Sequence, residues 1–143
     1  MKKLAIFFLI IIIIVVGIAY MYLNYKANYF EAKLDNSQFE SYKNQEVYGS
    51  ELTTIINKAM DNNKKNDVEK SESGKYINND NNSIEIDIKM LDNDKTYTME
   101  IIYNGGMDKF IQYYRDIKFK CSKIEYHKLT GKVKYMLFEQ ITE

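Results

Sequence analysis

The chain has no proline and no tryptophan, and among its 143 residues it carries one cysteine, one histidine and six glycines. With no proline, no helix or strand is interrupted by a residue that lacks its N–H. A single cysteine, Cys121, excludes an internal disulfide, so a folded domain must be held by its core alone. On a predicted strand such a residue reads as a small buried hydrophobe. Cys121 and His127 are the only thiol and imidazole groups. They stand six apart in one predicted strand, about 20 Å end to end. A nucleophile and its base must lie within hydrogen-bond reach. A zinc site would need two more Cys or His ligands, which do not exist, so carboxylates would have to fill in. His127 is expected to be exposed beside Glu125.

The acidic run Asp92-Asn93-Asp94 invites a calcium loop. Counting from Asp92, position five is Thr96, position six is Tyr97 and position twelve is Tyr103, so the later ligands and the glycine are missing. Asp80 with Asn82 fails in the same way. There is no Gly-rich phosphate loop, no Ser/His/Asp set, no carboxylate pair of definable geometry and no short repeat. The sequence therefore yields no catalytic, cofactor-binding or metal residue, and the chain is read as non-enzymatic with no cofactor.

Charge of one sign is also lacking: 20 Lys and Arg balance 20 Asp and Glu. The distribution is uneven. Residues 24–108 hold ten Lys and sixteen Asp or Glu, a net of −6, whereas residues 109–134 hold seven Lys and one Arg against Asp116 and Glu125, a net of +6. The basic stretch carries the candidate anion-facing patch. With a bulge near Ser122-Lys123, the side chains of Lys118, Lys120, Lys123 and His127 fall on the outward face of one strand, and Lys132 and Lys134 on that of its partner. Such a face suits an anionic envelope polymer or a lipid surface; a solvated strand face guarded by lysines is the plainer reading. Nucleic acid is not expected.

What the chain does have is Leu4–Leu23, twenty residues without charge, preceded by Lys2 and Lys3. As a helix it measures about 30 Å, the thickness of a bilayer's hydrocarbon core. Six isoleucines and two valines lie between Ile10 and Ile18. Tyr20, Tyr22 and Tyr25 sit where an aromatic belt belongs. A retained anchor is one reading and a cleaved secretory signal the other, with Gly17-Ile18-Ala19 as a small-x-small site. The apolar run continues past Ala19 and no polar region precedes the site, which favours the anchor. If the segment is cut after Ala19, the domain is secreted. No cysteine flanks the segment as in a lipoprotein, and the pilin processing signature is missing. Lys2, Lys3 and a short N-terminal tail favour a cytoplasmic N-terminus with the rest extracytoplasmic. The expected address is the cell membrane, single-pass.

The chain divides into three parts: a membrane anchor and juxtamembrane helix over 1–35, a connection over 36–48, and a small α+β domain over 49–143. Helical spacing from Tyr22 weakens at Asp35-Asn36-Ser37. Ser50 is read as the N-cap of an amphipathic helix with Leu52, Ile55, Ile56, Ala59 and Met60 as its stripe, ending at Asp61-Asn62-Asn63. Ile84, Ile86, Ile88 and Met90 alternate with polar residues, as do Tyr97, Met99, Ile101 and Tyr103, predicting an antiparallel hairpin. Asn104-Gly105-Gly106 should break the second strand, with a short helix from Asp108. Residues 119–128 and 132–140 predict a second hairpin turning at Leu129-Thr130-Gly131, its inward residues passing from Phe119 and Cys121 to Ile124 and Tyr126. The sum is an antiparallel sheet of four to five strands covered by one or two helices.

Phe39-Glu40-Ser41-Tyr42, Val47-Tyr48-Gly49-Ser50, the run LTTIIN from Leu52, MLDNDKTY from Met90 and FKCSKIEYHK from Phe119 together resemble segments of small, uncharacterised, single-pass membrane proteins of Firmicutes. The likeness covers most of the region after the apolar run. It implies a bacterial membrane address and assigns no functional residue. The sequence as a whole predicts a membrane-tethered, non-enzymatic envelope protein whose domain binds a protein partner or assembles with its own copies.

Overall fold

The computed structural model describes residues 2–92 and 95–142. Asn93 and Asp94 of the acidic turn lie outside them. The first element, α1, is one continuous helix over Lys2–Glu40. Its 39 residues make it about 58 Å long. None of its most apolar 18-residue window is buried in the protein, so residues 4–23 are not a core helix. Among the described residues, one helix is thus long and apolar enough to cross a membrane.

The helix does not fade at Asp35-Asn36-Ser37. Ala32, Asn36 and Phe39, at helical spacing, are buried against the domain. Asn36 Nδ2 donates to the Gly131 carbonyl at 2.8 Å, and its Oδ1 accepts from Val133 N–H at 2.7 Å. Tertiary partners supply what local helix propensity does not. Lys132 Nζ adds ion pairs to Glu31 and Asp35, both at 2.9 Å.

After the helix comes β1 (Glu46–Tyr48), a short edge strand where the sequence suggested a connection. It is followed by α2 (Gly49–Lys65), β2 (Glu85–Lys89), β3 (Thr96–Thr98), α3 (Met99–Tyr114), β4 (Lys118–Tyr126) and β5 (Val133–Gln140). The strands form one sheet in the order β1-β4-β5-β2-β3. The β4–β5 hairpin is antiparallel, as is the short β2–β3 pair. The two units meet through β2 and β5, which run parallel, so the sheet is mixed. The fold is α+β: a long apolar helix leading into a five-stranded sheet covered by two helices.

The stripe of α2 is buried as its spacing requires, with Leu52, Ile55, Ile56 and Ala59 all at 0% exposure. It faces Ile86, Ile88, Phe119, Met136 and Phe138 within one core. Ser50 is not the cap. The cap position is Tyr48, with no side-chain bond, and the first amides are satisfied by backbone: Gly49 N–H donates to the Ile117 carbonyl at 2.9 Å and Ser50 N–H to that of Arg115 at 3.3 Å. Nor does α2 end at Asp61-Asn62-Asn63. Asn63 takes the next place on the buried stripe. Its Nδ2 donates to the Ile84 carbonyl and its Oδ1 accepts from Ile84 N–H, both at 2.8 Å.

The second expected strand stops at Thr98, and Met99 begins α3. Met99, Ile102 and Phe110 are buried while Ile101 and Tyr103 are exposed, a helical pattern concealed by the alternation. Asn104-Gly105-Gly106 does not break the helix outright. It kinks at Gly106, whose φ of 103° suits only glycine.

In β4 the register shifts between Cys121 and Lys123, the position read from the sequence, and again between Glu125 and Tyr126. At the second shift the extra residue is Lys134 of β5, since Glu125 pairs with Tyr135 and Tyr126 with Val133; Tyr126, expected to point inward, is 37% exposed. His127 is 3% exposed, not facing solvent beside Glu125.

Candidate functional site

Chain path fixes which end of the domain faces α1. β4 and β5 are joined by residues 127–132, which lie against α1 through Asn36 and Lys132. Further along, Asn44 N–H bonds to the Cys121 carbonyl, and β1 pairs with the start of β4. Moving away from the apolar run along the chain therefore means moving back along β4 from its turn. Lys118 stands about 26 Å from that turn at 3.3 Å per residue.

At the far end, α3 and the β2–β3 edge enclose an apolar groove of about 270 Å³, lined by Met90, Tyr97, Ile101, Ile102, Phe110, Tyr113 and Tyr114 with both glycines of the kink. Among the described residues, Lys109 is its one charged lining residue. Phe110 stacks on Tyr114 at 4.9 Å between ring centroids and meets Phe119 at 6.1 Å, so the floor is a packed aromatic cluster. Ile101 and Tyr113 stand on the rim, 56% and 73% exposed. The groove offers an apolar bed with one cation beside it, which suits an apolar side chain or short segment of another protein.

The five candidate lysines do not form one face. Lys118 reaches Glu46 at 3.7 Å and Lys123 reaches Glu125 at 2.6 Å. Lys120 is exposed, and its register neighbours are Glu46 and Glu139. Lys132 does not face solvent: its side chain is 15% exposed and docks α1. Lys134 lies at the second bulge, lining a cleft with Asp80, Glu125 and His127. For Lys118 and Lys132 the sequence misses this division because the acidic partners come from β1 and α1, remote in the chain.

Cys121 and His127 each engage a backbone carbonyl rather than one another. The Cys121 thiol contacts the Lys123 carbonyl at 3.7 Å, and burial pushes its pKa up. His127 Nε2 lies 2.7 Å from the Ser83 carbonyl and so carries the proton there. Burial, more than any charge, holds its pKa below the usual imidazole range. Among the described residues, no group of three or more His, Cys, Asp or Glu could hold a metal ion.

Two carboxylates with buried oxygens, Asp87 and Glu100, are not signalled by the sequence. Tyr135 O–H donates to Asp87 Oδ2 at 3.1 Å, while Asp87 Oδ1 and Glu100 Oε2 have no partner among the described residues. Burial pushes the Asp87 carboxyl above its ordinary range, against the pull of the Tyr135 bond. The Tyr135 hydroxyl is pushed up strongly, by burial first and then by Asp87. A carboxyl whose folded pKa is raised binds more protons folded than unfolded, so its penalty grows as pH rises through the folded value. Asp87→Asn is therefore expected to raise the thermal midpoint of the full chain at neutral pH. The gain should shrink as pH falls through about 4, below which both states are protonated. A loss of stability at neutral pH would contradict this.

Comparison with known family models, curated proteins and solved structures gives no match. The fold and groove define a class and no more: an α+β domain continuous with a helix of membrane-spanning length.

Proposed function

We propose that this is a single-pass, membrane-tethered bacterial envelope protein that acts as a binding module rather than an enzyme, its domain engaging a protein partner through the α3 groove. The observation that carries the reading is the pairing of an unburied apolar helix with an open apolar groove at the opposite end of the domain. Water would not tolerate so much exposed apolar surface on α1. Lipid around it leaves the groove facing away from the bilayer, where another protein can reach it. Lys2 and Lys3 ahead of the apolar run support a cytoplasmic N-terminus and an extracytoplasmic domain. The likeness to Firmicutes membrane proteins supports the bacterial address.

A photo-crosslinking residue at Tyr113, in native membranes, tests the groove. It should yield a discrete protein adduct that disappears with Ile101→Glu, while the same probe at Lys120 on the open sheet face yields none. An adduct of twice the chain mass would identify self-assembly as the contact. No adduct from Tyr113, or the same adducts from both positions, would overturn the groove as the binding surface.

A further inference from the structure

We propose that the β4–β5 turn is a second membrane contact, with Leu129 entering the headgroup layer of the bilayer that α1 spans and Lys128 meeting anionic headgroups beside it. This rests on reading α1 as a transmembrane helix.

The helix supplies the depth scale. Its apolar run ends at Leu23, before Asn24, and each further residue adds about 1.5 Å. The polar layer on each side of the hydrocarbon core is about 5–8 Å thick. Residues 25–29 therefore lie about 3–9 Å beyond the core, at headgroup level. The β4–β5 turn faces this level across a cleft of about 460 Å³, with Lys128, Leu129, Thr130 and Gly131 on one wall and Tyr25, Asn28, Tyr29 and Glu31 of α1 on the other. Lys132 pairs with Glu31 and Asp35, and Gly131 with Asn36. These direct contacts lie at residues 31–36 of α1, and the cleft opens from them back toward Tyr25.

The turn is held rather than loose. Gly131 N–H donates to the His127 carbonyl at 2.9 Å, and His127 N–H to that of Lys132 at 2.8 Å. Gly131 has a φ of 70°, which favours glycine. Thr130 Oγ1 donates to the Asn81 carbonyl. On this fixed frame Leu129 is 77% exposed, the most exposed large apolar side chain of the domain. An apolar tip beside a lysine, presented at headgroup height, matches an interfacial lipid layer, where an apolar body and a nearby cation are both favoured.

The test places an environment-sensitive fluorophore on full-length chains reconstituted in phosphatidylglycerol–phosphatidylethanolamine vesicles. It is attached through Ile13→Cys, Leu129→Cys or Tyr113→Cys. Cys121 is buried and is left in place, with the unsubstituted chain as labelling control. Position 129 should show blue-shifted emission and quenching by a spin label near the headgroup boundary; position 113 should report water. Position 13 should be quenched by a label deep in the acyl chains. Quenching at 13 with a water-like signal at 129 overturns the inference and leaves the anchor standing. A water-like signal at 13 overturns the transmembrane reading, and the inference with it. Lys128→Glu should reduce quenching at 129 in these vesicles and leave it unchanged in purely zwitterionic ones. Equal quenching with and without that substitution removes Lys128 from the contact.

Discussion

Gly49→Ala is expected to cost the domain about 3 kcal/mol, the upper range for forced overpacking, and to lower its thermal midpoint by about 10–20 °C. The reason is a close approach of backbones. Gly49 opens α2 where the end of α3 passes over it, and a Cβ there would lie 1.9 Å from the Tyr114 carbonyl oxygen and 2.7 Å from its carbon. These atoms are main chain and cannot swing aside. The same contact lets Gly49 and Ser50 amides reach the carbonyls of Ile117 and Arg115, so separating the helices would also release two hydrogen bonds. Gly105→Ala is the control. Nothing lies within 4 Å of a Cβ at that position, and the substitution should be neutral or slightly stabilising. Thermal unfolding of both variants as full chains in detergent checks the pair; equal midpoints would contradict the contact.

Asn63→Ala should cost about 2–4 kcal/mol, because it strands two buried backbone groups at once. Asn63 is 0% exposed, and its amide is the partner of both Ile84 N–H and Ile84 C=O. Asn63→Asp should fail comparably: it keeps an acceptor but sets a carboxylate against the Ile84 carbonyl. Denaturant unfolding gives the magnitude. Amide exchange at Ile84 gives the mechanism, since its protection should fall more than that of Ile86 or Ile88 deeper in the sheet. A near-neutral Asn63→Ala would mean that the link between α2 and β2 is held elsewhere.

These two positions also show where the sequence was readable. The stripe from Leu52 to Met60, the alternation from Ile84 to Met90 and the hairpin around Gly131 were legible because each is a local period that burial enforces. The bulge at Cys121 and Lys123 was legible because the inward phase visibly changes. Gly49 and Asn63 were not, because their roles depend on Tyr114 and Ile84, brought close only by the fold. The strand expected through Tyr103 failed for a related reason. Tyr97, Met99, Ile101 and Tyr103 alternate, but Met99 and Ile102 are the buried residues, and α3 crossing over α2 decides between the periods. The β2–β5 pairing is parallel because residues 90–132 carry the chain from one strand to the other, which no hairpin signal announces. As for the candidate site, the basic stretch was visible and its neutralisation was not. The groove was invisible, since its walls come from β2, β3 and both halves of a kinked helix.

Asn36 and Lys132 tie these findings to the proposed role. Through them the helix enters the domain as a structural element, with Phe39 in the core at 1% exposure. A domain built this way keeps a fixed height above whatever surface α1 is embedded in, with the groove at its far end and the β4–β5 turn at its near end.

The central claim is that the helix stays and spans a membrane. Alkaline extraction of native membranes, with intact mass measurement of the recovered chain, tests it most directly. The protein is expected to remain in the extracted membrane fraction with residues 4–23 present. A soluble chain beginning after Ala19 would contradict the claim.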